Sequence, residues 1–365
     1  MDVFNQVRVK VWQQQPDTFF DNATIDADGT MVETQGECKQ GIDINHKGQW
    51  GYHPLMVSLA NTGEALYVVN RSGNRPSHEQ AGEYLDRAVA LCRRAGFRKI
   101  TLRGDTDFTQ TSRLDGWHDD GIGFIFGIDA TKGLYSHAAE IPEEDWKERS
   151  KPERPIKTSP RARPDRVKQR IVEAREFQDI RLANERVSEF KYRPTNCSRE
   201  YRVVVVWKEL DVYEGQQLLF DDYRCFFYIT NDWKSTPEQI VHRAHQRCNQ
   251  ENTIEQHKNG VHAFTAPLDT LESNWAYMVI ASLAWSLKAW SALLTPVHSR
   301  WQAMHDPLKQ RLLRMDFATY RNAIINIPAQ IVRTGRKIVY RMLAWTVWQD
   351  TFFRLVDRIQ SLQFR

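Results

Sequence analysis

Apolar and polar positions follow two rhythms along this chain. A strand rhythm begins at Asn22: Thr24, Ile25, Asp26, Ala27 and Asp28 predict a strand ending in a turn at Gly29. The apolar segment His53 to Leu59, a turn at Gly63 and the run Leu66 to Val69 predict a hairpin. A helical rhythm then runs from His78 to Arg94, with Leu85, Val89 and Cys92 on its apolar stripe. Ser77 is its expected N-cap and Gln80 the capping-box partner. Gly96 closes that helix, and Lys99 to Arg103 is a strand leading straight into Gly104 and Asp105. A further helix through Leu114 to Asp119 leads to a strand at Gly123 to Gly127. Hairpin, helix, strand, helix, strand is an α/β pattern with mixed pairing.

The pattern lapses after Ile128. Pro142, Pro152, Pro155, Pro160 and Pro164 accompany a basic run, which predicts an exposed connection. Tyr201 to Trp207 and Arg224 to Thr230 are strand-like, separated by the turn-rich Asp211 to Asp222, and read as an inserted antiparallel module. Helical texture resumes at Thr236, with Pro237 at N1, and continues to about Lys258. Trp275 to Leu294 predicts another helix, and the remainder of the chain reads as basic helices. The expected organisation is a helix fragment or lead-in at 1–21 without an obvious core of its own, an α/β domain split between 22–130 and 236–295, an inserted mainly β module at 131–235, and a basic helical region at 296–365.

Composition narrows the picture modestly. The net charge is only +4, but its distribution is uneven: Lys147 to Arg170 holds ten Lys or Arg against three acids, and Arg300 to Arg365 twelve against four. Such runs suit a polyanionic partner. Cys38, Cys92, Cys197, Cys225 and Cys248 are odd in number and lack zinc-site spacing, which favours a reducing, cytoplasmic setting over a disulfide scaffold. The most apolar stretch, Trp275 to Leu294, carries Lys288 and several serines, so a buried helix is expected rather than a membrane span.

Three acidic positions carry the candidate chemistry. Arg247, Glu251, Glu255 and Lys258 stand at intervals of four, four and three, hence on one helix face. That face is either a solvated set of ion pairs or a metal-binding carboxylate, Glu251, between two cations able to hold phosphates. Asp105 lies just past the end of a strand, where open α/β sheets place their sites, or else caps the next helix; Asp107 is its neighbour and competitor. Asp26 and Asp28 would point the same way from the first strand, so either is a candidate ligand, and an Asx turn is the plainer role for Asp28.

Arg247, Glu251 and Lys258 with their spacing match the Y-R-E-K signature of bacterial insertion-sequence DDE transposases. Arg103-Gly-Asp105-Thr-Asp-Phe108 resembles the family's second-aspartate motif, and Asp28-Gly-Thr30 the D-x-T around its first. Trp50 to Leu55, Asn61 to Glu64 and Arg71 to Arg75 also look characteristic, and the resemblance covers roughly residues 22 to 295. It implies an α/β, RNase H-like mixed sheet flanked by helices and interrupted by a mainly β module. It further implies that Asp28, Asp105 and Glu251 are the catalytic, metal-holding carboxylates for two Mg²⁺ ions, or Mn²⁺ in their place. Arg247, Lys258, His245 and Arg103 are the expected phosphate-positioning residues.

Two departures stand out. The signature tyrosine position is Ala244, so that contact is either absent or supplied by His245, and only 27 residues precede Asp28 where relatives carry a DNA-binding region, as in an amino-truncated copy. The expected partners are double-stranded DNA, at element ends and target, and a second copy of the chain, with no membrane association. The chain would act in the bacterial cytoplasm, on the nucleoid. The expected activity is cut-and-paste transposition through hairpin intermediates. A nuclease without strand transfer and an inert DNA-binding descendant are the alternatives. Trp207 and Trp233 are either base-stacking or packing residues, and His53 and His78 structural or DNA-contacting.

Overall fold

The computed structural model describes residues 1–149, 167–214, 217–343 and 345–362. In chain order its main elements are helix α1 (Asp2–Trp12), strands β1 (Asn22–Gly29), β2 (Leu55–Leu59) and β3 (Glu64–Val69), helix α2 (Ala81–Ala95) and strand β4 (Lys99–Gly104). There follow α3 (Thr111–Asp119), β5 (Gly123–Ile128), α4 (Lys132–Ala139), and strands β6 (Gln178–Tyr192), β7 (Tyr201–Glu214) and β8 (Gln217–Thr230). Helices α5 (Pro237–His245), α6 (Cys248–Glu255), α7 (Leu271–Leu294) and α8 (Gln302–Arg314), strands β9 (Ala329–Thr334) and β10 (Lys337–Met342), and helix α9 (Gln349–Ser361) complete the chain. Two compact units form: Met1–Arg103 with Arg247–Arg365, and Gly104–Gln246.

In the first unit the strands run in the order β3-β2-β1-β4. β1 pairs antiparallel with β2, Asp28 opposite Met56, and parallel with β4, Asp26 opposite Arg103. This is the mixed pairing the sequence predicts, with the expected β2–β3 hairpin turning at Gly63 in a left-handed conformation. Helices α2 and α6 pack against β1. α1 is the helix that the first residues suggested, and it does reach the core. Its Trp12 and Arg8 are fully buried, and both donate to the buried carboxylate of Glu64 on β3, at 3.0 Å each. Thr62 and the Trp290 indole of α7 donate to the same carboxylate at 2.6 and 2.5 Å. A buried acid with four donors is satisfied rather than stranded, and it fastens α1 and α7 to the sheet.

α7 is long and apolar enough to cross a bilayer, yet half of its most apolar window is buried within the protein. Trp285 donates to Gly63 O at 2.7 Å, and Lys288, 1% exposed, donates to Leu313 O at 2.6 Å with its ammonium 3.8 Å from the Trp285 ring centroid. Burial lowers the Lys288 pKa to about 7. These bonds make α7 a core helix of this unit, as its lysine and serines suggested.

In the second unit β5, β8, β7 and β6 form an antiparallel array. α5 closes one face over Ile125, Val187, Val204 and Val206 through Ile240 and Val241. With its helices, small extra strands and C-terminal elements, the fold is RNase H-like with insertions.

Four local expectations change. α2 starts at Ala81, and Gln80, at φ +62°, makes no capping bond, because Arg71 holds the carbonyls of Pro76, Ser77 and Glu79 in a turn. β7 and β8 run on through the stretch read as turn-rich, with Leu210 and Val212 buried, and β6 is an additional strand. The last region is not all helical: β9 and β10 form a two-stranded hairpin. The helix expected from Thr236 to Lys258 breaks at Gln246–Arg247 and ends in a π-helical turn, Gln256–Gly260. Most of the basic run from Lys147 to Arg170 lies outside the described residues.

Candidate functional site: the acidic end of the central strand

The pleat of β1 sets Asp26 and Asp28 on one side, and two arginines meet them. Asp26 is 1% exposed and accepts two bonds of 2.8 Å from the Arg103 fork, Nε to Oδ1 and Nη2 to Oδ2. Burial pushes its carboxyl above the ordinary range, while Arg103 acts against that shift. Arg103, expected to hold DNA, is itself 4% exposed and committed to this pair. A guanidinium so enclosed organises the strand end.

Asp28 sits two residues nearer the strand end. Its Oδ1 accepts the N–H of the next residue, Gly29, at 2.8 Å, one residue short of an Asx turn, and its Oδ2 accepts Arg247 Nη1 at 2.9 Å. Arg247 is the residue before α6, and its other amino group lies 3.8 Å from Glu251 Oε1 one turn on. One guanidinium therefore bridges two acids from opposite ends of the sequence. The helix is held there by its inward face: Gln250, 2% exposed, accepts from Ser58 Oγ, and Ile254 packs with Met56, Val68 and Met278. Outward, the Glu251 side chain is 63% exposed, against 14% for Asp28.

The π-helical turn shifts the last positions of that face. His257 points inward, fully buried, its Nδ1 bonded to Thr253 O at 2.7 Å, and burial lowers its pKa to about 4. Lys258 is half-buried on that turn. Glu255 accepts from Asn259.

Residues of the second unit have separate settings. Asp105 follows β4 directly, and its Oδ1 accepts the Asp107 N–H at 3.1 Å, capping a short turn over Thr106–Phe108. Gly127 on β5 makes room for that turn, since a Cβ there would lie 2.9 Å from Thr106 N. His245 Nε2 is 3.1 Å from Tyr228 Oη, and its Nδ1 is 3.3 Å from Arg149. Trp207 stacks on Tyr223 at 4.7 Å and meets Trp146 edge-on within the β module. Trp233 is 49% exposed.

Arg71 opens the stretch Arg71 to Arg75 that looks characteristic in the sequence, and it matters here although no role was expected of it. It is 5% exposed at the end of the β2–β3 hairpin and donates to the carbonyls of His53, Pro76, Ser77 and Glu79. Its remaining amino group finds no hydrogen-bond partner among the described residues, and burial lowers its pKa to about 10. That group and His53 Nε2 lie 3.5 and 2.9 Å from where a Cβ on Gly29 would stand, so the residue after Asp28 must be small.

Among the described residues no three His, Cys, Asp or Glu side chains gather into one metal-binding group. The donor chemistry nonetheless suits a hard divalent cation, because the carboxylates of Asp28 and Glu251 already face one shared cationic group.

A mixed sheet with an acidic central strand end, and a glutamate-bearing helix packed against it, defines an RNase H-like protein of the DDE type. Residues 5–364 match the family described as Transposase DDE domain group 1, and the chain belongs to that family. No curated protein matches. A cryo-EM structure of a piggyBac transposase synaptic complex with hairpin DNA is similar at 15% identity and a TM-score of 0.41, covering 89% of this chain. The chain spans 60% of the length of that one.

Proposed function

We propose that this chain cuts DNA at the ends of a mobile element and joins those ends to a target, with Asp28, Asp105 and Glu251 holding two Mg²⁺ ions or Mn²⁺ in their place. The observation that carries the reading is the meeting of Asp28 and Glu251 at Arg247. Bound divalent ions supply Lewis acidity at the scissile phosphate, which side chains here do not provide. In the cutting step a water oxygen bonds to phosphorus and the bond to the 3′ oxygen breaks, leaving a 3′-hydroxyl and a 5′-phosphate. In the joining step that hydroxyl bonds to a new phosphorus and the displaced strand leaves with its own 3′-hydroxyl. If the opposite flanking strand is attacked, a hairpin results.

Arg247 offers a planar fork of donors for a strand phosphate, and Lys258 a point charge beyond it. His245, bonded to Tyr228, stands in for the absent signature tyrosine. The exposed indole of Trp233 can accept an unstacked base. Two element ends require two copies of the chain, so a homodimer on double-stranded DNA is the expected assembly. The domain division expected from the sequence, with the catalytic domain interrupted by the β module, belongs to the same proposal.

A second reading is an inert DNA-binding descendant, favoured by the bonds that already occupy both oxygens of Asp28. Mg²⁺-dependent cleavage of end-bearing duplex, resolved on denaturing gels into nicked, hairpinned and joined products, separates the readings. Cleavage by the native chain and none by Glu251→Gln supports transposition. Equal cleavage by both removes Glu251 from the site, and binding without chemistry in either supports the inert reading. Cleavage without joined products leaves a nuclease.

A further inference from the structure

The hairpin β9–β10 is a two-stranded sheet in the first unit, and each strand pairs with the other alone among the described residues. Nearly every side chain on it faces solvent; Ile331, Ile338 and Tyr340 are 63, 57 and 68% exposed. A lone hairpin with both faces wet is marginally stable in water, so its uncovered state calls for a partner. Register sorts its residues. Gln330 opposes Arg341, Val332 opposes Val339 and Thr334 opposes Lys337 on one face, with Arg336 in the connecting turn. Ile331 opposes Tyr340 and Arg333 opposes Ile338 on the other. No Asp or Glu occurs between Asp316 and Asp350, while Arg321, Arg333, Arg336, Lys337 and Arg341 do.

We propose that the Gln330–Arg341 face of this ribbon is a binding site for duplex DNA, separate from the carboxylate site, with Arg336, Lys337 and Arg341 on backbone phosphates. It rests on the reading of this chain as a DNA-processing enzyme. Three physical points lead there. Along the whole ribbon no acid stands in sequence beside the cations, and none of them forms an ion pair among the described residues, which complements a polyanion. The same charges set side by side oppose pairing with the ribbon of a second copy, since like charges across an edge repel. A two-stranded ribbon also fits the major groove, about 12 Å wide, and its six-residue strands reach about 20 Å along it. Gln330 and Thr334 then supply the uncharged donors and acceptors that base edges require.

The test uses the full chain in EDTA, so that no cleavage occurs, and a labelled random-sequence duplex whose binding is followed by anisotropy against KCl concentration. For Arg336→Ala/Lys337→Ala/Arg341→Ala the log–log salt slope should flatten by about 2.7, at about 0.9 per lost phosphate contact. Affinity at about 0.1 M salt should fall ten- to a hundred-fold. Arg336→Lys/Arg341→Lys should keep the native slope. Native-like circular dichroism of the alanine variant establishes that it folds; a slope unchanged in that variant overturns the proposal. A change in oligomeric state with an unchanged slope also overturns it, and makes the ribbon a protein interface. If the native chain binds no duplex, this proposal and the DNA reading fall together. Duplex binding that depends on the ribbon, without cleavage when Mg²⁺ is restored, leaves the ribbon standing and removes only the transposition chemistry.

Discussion

Asp26 and Asp28 stand two residues apart on one strand, each facing an arginine, and they do opposite things. The Asp26–Arg103 pair is closed off, at 1 and 5% side-chain exposure, with both carboxylate oxygens in a two-pronged bond. The Asp28–Arg247 pair keeps 14 and 17% of its side-chain surface open, and its arginine is shared with Glu251. Depth sets the difference. A fully buried ion pair cannot lose a partner without stranding a charge, so it serves as architecture. A partly open pair can exchange one cation for another, which is what a metal-binding, phosphate-handling site needs.

The largest effect expected is on the closed pair. Asp26→Ala should cost about 3–5 kcal/mol of unfolding free energy, measured by urea denaturation, because it leaves Arg103 buried and uncompensated. Asp28→Ala should lose about 1 kcal/mol or less while lowering Mg²⁺-dependent cleavage by about a thousand-fold or more. If the two variants exchanged these phenotypes, the division between architecture and chemistry on this strand would be overturned.

Lys288 sharpens the same contrast, being a buried cation with a carbonyl partner and no carboxylate bonded to it. Its folded pKa of about 7 lies below the ordinary 10.5, so between those values the unfolded chain binds the extra proton. Unfolding free energy should therefore rise with pH from about 7 to 10.5, by a few kcal/mol at most, and the slope should vanish in Lys288→Met. A slope equal in the native and variant chains would remove Lys288 as its source.

Arg247→Lys tests whether the open pair needs the fork. Cleavage should fall about ten- to a hundred-fold, while stability changes by less than about 1 kcal/mol. The smallest effect of all is expected at one of two tryptophans. Trp207→Ala should destabilise by about 2–3 kcal/mol through its lost stack, and Trp233→Ala by about 0.5 kcal/mol or less, both read from thermal melts. Equal losses would show that exposure does not separate them.

Much of the fold was legible along the chain because strands and helices of this size are written locally. The alternation at Thr24–Asp28, the Gly63 turn and the stop at Gly96 each need only neighbours in sequence, and β1, the β2–β3 hairpin and the end of α2 obey them. Where tertiary bonds outweigh local preference, the reading slipped. The capping signal at Ser77 and Gln80 lost to Arg71, which takes the nearby carbonyls for itself. The charged stretch Asp211–Asp222 joined long strands, since a partner strand satisfies a backbone that side-chain polarity alone would assign to a turn.

Motif order and spacing are properties of the chain alone, and they were enough to place this protein in its family and to name the residue types of its candidate site. The motif resemblance singled out Asp28, but strand alternation alone left Asp26 and Asp28 as equals, since it sends both to one side and says nothing of depth. Folding separated the two: it buried Asp26 against Arg103 and brought Arg247 across 219 residues of sequence to Asp28. The burial of Arg103 against Asp26 was equally out of reach of the sequence, which offers it only as a candidate phosphate-positioning residue. Burial and long-range pairing arise from packing of distant segments, and no local pattern encodes them.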